Sequence, residues 1–212
     1  ADVAPALPAG PVRDESLLNM AAIRAGDRTR SAAIDETLAL LPALSPGARP
    51  GAVESLLLAV QNDTVAWTPD AGFAVPPLAR APFLPYPDET REVFPRLLAA
   101  AQALEAGGPR TRVLHTMARV QAVLGDFPGA IATVEAIADA GPRGEGSGQA
   151  DLLKPLTFAV IAGLQAKAGD QAGADASFAR ARAAVSDLSE SGGQIGWAAL
   201  AESLLEAGRA DA

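Results

Sequence analysis

Residues 124–131 read Leu124-Gly125-Asp126-Phe127-Pro128-Gly129-Ala130-Ile131, and this stretch decides the fold. Apolar residues at helical spacing run up to a glycine, and an aspartate follows at once. Glycine closes a helix in the left-handed conformation without steric cost. Aspartate opens the next helix by accepting from the unpaired N–H groups of its first turn. The stretch is therefore a joint between two helices.

The joint returns 44 residues later, from Gly125-Asp126 to Gly169-Asp170. In that register Leu114 meets Phe158, Met117 meets Ile161, Ala118 meets Ala162, Gln121 meets Gln165 and Ala122 meets Ala166. Beyond the joint, Gly129-Ala130 meets Gly173-Ala174 and Ala132 meets Ala176. Each unit reads as a helical hairpin, with small residues such as Ala118 and Ala130 where its two helices come closest. Periodicity on this length scale marks a repeat architecture.

The pattern resembles the tetratricopeptide repeat, a hairpin unit with large-apolar, small, Gly-Asp, Ala and Pro positions that stacks into a superhelix. Pro142 stands where the family's closing proline is expected, and Trp197, Leu200 and Ala201, followed by Gly208, match the first helix of a further unit. Gly26-Asp27 marks a weaker one near the N-terminus. The resemblance covers the C-terminal half well, the first 45 residues loosely and 63–87 not at all. It departs from the family in spacing, 44 and then 39 residues (125 to 169 to 208) against about 34. Ile137 replaces a small residue, and Ser186 stands in place of the closing proline. The fold this implies is all-α, stacked antiparallel helical hairpins forming an α-solenoid, with a long irregular insertion.

Composition agrees with helices. The 212 residues are 49% hydrophobic but only 4% aromatic, and alanine, the best helix former, is abundant. The net charge of −8 repels a phosphate backbone and argues against nucleic-acid binding. No apolar run approaches the roughly 20 residues that span a bilayer. With no cysteine, disulfides and thiolate chemistry are excluded. The opening Ala1-Asp2-Val3-Ala4-Pro5 reads like a mature end left by signal-peptide removal, so export to a bacterial periplasm is expected, a cytoplasmic location being the alternative.

Along the chain, residues 1–13 read as an extended lead-in and 14–62 as an N-terminal helical hairpin region, with helices over 14–25, 29–41 and 52–62. Residues 63–87 carry six prolines, which rule out a continuous helix or central strand. They also hold Trp67, Phe73, Phe83 and Tyr86, four of the nine aromatics (two Trp, one Tyr, six Phe). Residues 88–212 read as the repeats, with helices over 88–106, 110–124, 127–140, 151–168, 171–187 and 194–207; Pro95 marks a kink or a late start.

No catalytic, cofactor or metal constellation emerges. There is neither a phosphate-cradling GxxxxGK[ST] nor an HExxH, and His115 is the one histidine. Gly144-Glu145-Gly146-Ser147-Gly148 follows no strand and reads as a connector, and Asn62-Asp63-Thr64 fits a glycosylation sequon. A sharper feature is Arg112, His115 and Arg119, at i, i+3 and i+7 on one helix face. The resemblance implies that such first-helix positions line a concave groove, with Ala122 and Val123 further along and Leu156, Ala159, Gly163, Ala166 and Lys167 from the next unit. A positive strip there would grip carboxylates of a peptide; alternatively these are surface charges paired with nearby acids. Trp67, Phe73 and Tyr86 either pack onto the repeats or anchor a partner.

The function expected is a non-catalytic scaffold or adaptor that binds a protein or peptide. Two alternatives stand: the supporting superhelical part of a cell-wall or glycan-processing enzyme, and a permanent accessory subunit of a larger envelope complex.

Overall fold

The computed structural model describes residues 10–25, 30–61, 84–85, 87–137, 148–188, 196–198, 200–201 and 204. The described residues hold helices and no strand: α1 (Pro11–Ala25), α2 (Arg30–Leu40), a 3-10 turn (Leu41–Ala43), α3 (Arg49–Gln61), α4 (Pro87–Gln102), α5 (Gly108–Val123), α6 (Phe127–Glu135), α7 (Gly148–Lys167) and α8 (Gln171–Ser186). Helical residues recur at 196–198, 200–201 and 204. The chain divides into two compact units, and the division falls inside α5 between Val113 and Leu114.

In the first unit α1 packs on α2, and α4 packs on both α2 and α3. Leu17, Ile34, Leu44, Val53, Leu57, Val60, Val93 and Leu97 are buried there. Each such side chain contributes about 1.5–3 kcal/mol on leaving water. The helix begins at Pro11, three residues before the expected start, and Asp14 remains in its first turn. It is buried and accepts the Ser45 backbone N–H at 3.0 Å together with the Ser45 hydroxyl. That tie fastens α1 to the chain beyond the 3-10 turn. Arg49 secures the same corner, donating from its guanidinium to the carbonyls of Leu44 (3.2 Å) and Pro42 (3.3 Å). Pro87, grouped by sequence with the irregular segment, is the first residue of α4, where its missing N–H costs nothing. α4 runs through Pro95 and α7 through Pro155, so each gives up one internal hydrogen bond without ending.

In the second unit the two joints fold as their residues dictate. Gly125 and Gly169 sit at φ +87° and +85°, the left-handed region that favours glycine. Gly125 N–H bonds Ala122 O (3.1 Å) and Asp126 N–H bonds Gln121 O (3.0 Å); Gly169 N–H bonds Ala166 O (3.0 Å) and Asp170 N–H bonds Gln165 O (2.9 Å). This pair of bonds is the Schellman closure, which satisfies the last carbonyls of the first helix. The same aspartates then cap the next helix: Asp126 accepts from Gly129 N–H at 3.0 Å and Asp170 from Gly173 N–H at 2.9 Å. A Cβ at Gly129 or Gly173 would run into the capping carboxylate, so these glycines are required by the cap itself.

A glutamine completes each joint. Gln121 donates through Nε2 to Asp126 (3.4 Å) and accepts the Thr133 hydroxyl through Oε1 (2.7 Å). Gln165 repeats this with Asp170 (3.1 Å) and the Ser177 hydroxyl (2.7 Å). Below the polar bracket lies one apolar cluster of Ala118, Ala122, Ala130, Val134, Phe158, Ala159, Ile161, Ala162, Ala174, Phe178, Ala181 and Leu200. α7 packs on α8, and α6 packs on α7. Ala118, Ala130, Ala162 and Ala174 are all fully buried, as close helix approach requires. The positions of Gly26-Asp27, Pro142 and Asn62-Asp63-Thr64, and of 144–147 in the glycine-rich run, lie outside the described residues, while Gly148 begins α7.

Candidate functional site

The residues of the expected positive strip do not share one environment. Arg112 is exposed and pairs with Glu54 of α3 at 3.6 Å. His115 and Arg119, one and two turns further along α5, are 3% and 5% exposed. The burial departs from an open groove lined by all three. Against His115 stands α7, whose Thr157 comes within 3.0 Å of His115 Nδ1.

This contact fixes the histidine's chemistry. The Thr157 hydroxyl donates to Leu153 O at 2.7 Å, so its oxygen accepts from His115 Nδ1–H. The proton therefore sits on Nδ1 of a neutral ring. Burial, followed by the charges of Lys154 and Arg119, lowers the His115 pKa from 6.5 to about 3. His115 thus brings no positive charge at neutral pH, and its pKa lies far from the range a general base needs there. Arg119 keeps its charge: burial lowers it only to about 10. His115 and Thr157 make a buried polar contact between α5 and α7, with Arg119 buried on α5 and Lys154 half-buried on α7.

Of the other groove candidates, Lys167 is exposed in the last turn of α7, where a cation also suits the helix dipole. Ala122, Leu156 and Ala159 are buried in the core, whereas Val123, Gly163 and Ala166 are half-buried. Trp67, Phe73 and Tyr86 lie outside the described residues. Arg112 and Lys167 are accordingly the proposed contact residues that the described surface presents.

Sequence reasoning missed Thr133 and Ser177, the hydroxyls that the two glutamines hold. A signal existed: both stand three residues after the small residue of the second helix, Ala130 and Ala174, and are 44 residues apart. Among the described residues no three His, Asp or Glu side chains gather as a metal site, and no helix is long and apolar enough to cross a membrane. In comparison with known proteins, the chain matches no family model, no curated protein and no solved structure.

Proposed function

We propose that this protein is a non-catalytic interaction scaffold: a tetratricopeptide-like array of stacked helical hairpins that binds a protein or peptide partner on its repeat surface. The observation that carries the reading is the duplicated joint. Two stretches 44 residues apart fold with the same glycine conformation, the same aspartate cap and the same glutamine–hydroxyl bracket. A chain that spends its polar residues on repeating one packing unit is built to extend a surface, since each repeat buries its face on its neighbours and leaves broad faces open. The inert state of His115 supports the same reading, because the chain's one imidazole is committed to the helix contact.

Arg112 in the first unit and Lys167 in the second are exposed cations, each offered to acidic groups of a partner. The test is capture of a stoichiometric protein partner from native extract by the intact chain, followed by the same capture with Arg112→Glu and Lys167→Glu. Rim charges act mainly on association rate and salt dependence, so the double variant should bind more slowly and with a shallower salt dependence. Recovery of no partner under varied conditions overturns the scaffold reading.

A further inference from the structure

We draw no further inference here: the strongest candidate, the side-chain cluster of His115, Arg119 and Lys154 on α5 and α7, rests on lowered pKa values alone beyond the His115–Thr157 contact and belongs to the site already described.

Discussion

At the scale of single residues, His115 is a buried side chain with a fixed partner. Its Nδ1–H is spent on Thr157, and Lys154 and Arg119 oppose a second proton. In the unfolded chain a histidine protonates near its ordinary value of 6.5, whereas in the folded chain it resists until about 3. Between those values the unfolded state binds the extra proton, so stability is full above pH ~6.5 and falls as the pH drops toward 3. The slope approaches about 1.4 kcal/mol per pH unit. Denaturant titrations of wild type and His115→Gln between pH 7 and 5, above most carboxylate titration, should show the variant losing that slope. Parallel curves would sink the account. Spacing alone grouped His115 with Arg112 and Arg119; it could not reveal the burial, because the neighbour responsible is Thr157, 42 residues away on another helix.

At the scale of elements, the joint is a polar bracket around a close helix crossing. Ser177→Ala leaves the buried Gln165 Oε1 without its donor and should cost about 1–3 kcal/mol. Adding Gln165→Leu removes the orphaned group as well, so the double variant should recover part of that loss; equal and additive losses in chemical denaturation would contradict the bracket. The crossing gives a paired prediction. Ala162→Leu forces extra volume into a fully buried contact and should cost about 1–3 kcal/mol. Ala201→Leu, in the same register but exposed, should stay within about 0.5 kcal/mol. Thermal melts that rank the two the other way would show that the registers are not equivalent. The joints were legible in the sequence because capping is local chemistry: glycine, aspartate and a second glycine specify it within five residues. For Thr133 and Ser177 the repeat marked the positions but not the partners, because a hydroxyl's partner across a hairpin depends on how the two helices meet.

At the scale of the whole molecule, charge is the dominant property. With a net charge of −8 and a pI near 4.7, the chain repels its own copies at neutral pH. That repulsion vanishes near the pI, within the range where His115 also weakens the fold. Static light scattering at low salt should therefore rise sharply from pH 7 to about 5, and moderate salt should not suppress the rise. A flat profile would mean that neither effect matters.

The sequence by itself determined the all-helical fold, the position of both Gly-Asp joints and the small residues at the crossings. These follow from the period of apolar residues and from caps whose bonds span a few residues. Only tertiary structure decided which faces are buried. It turned Asp14 inward to Ser45, committed His115 to Thr157, held Thr133 and Ser177 against their glutamines, and left Trp197 and Ala201 exposed where Phe158 and Ala162 are buried. Helix periodicity states which residues share a face. Which neighbour covers that face depends on packing between segments far apart in the chain, and no local rule contains it.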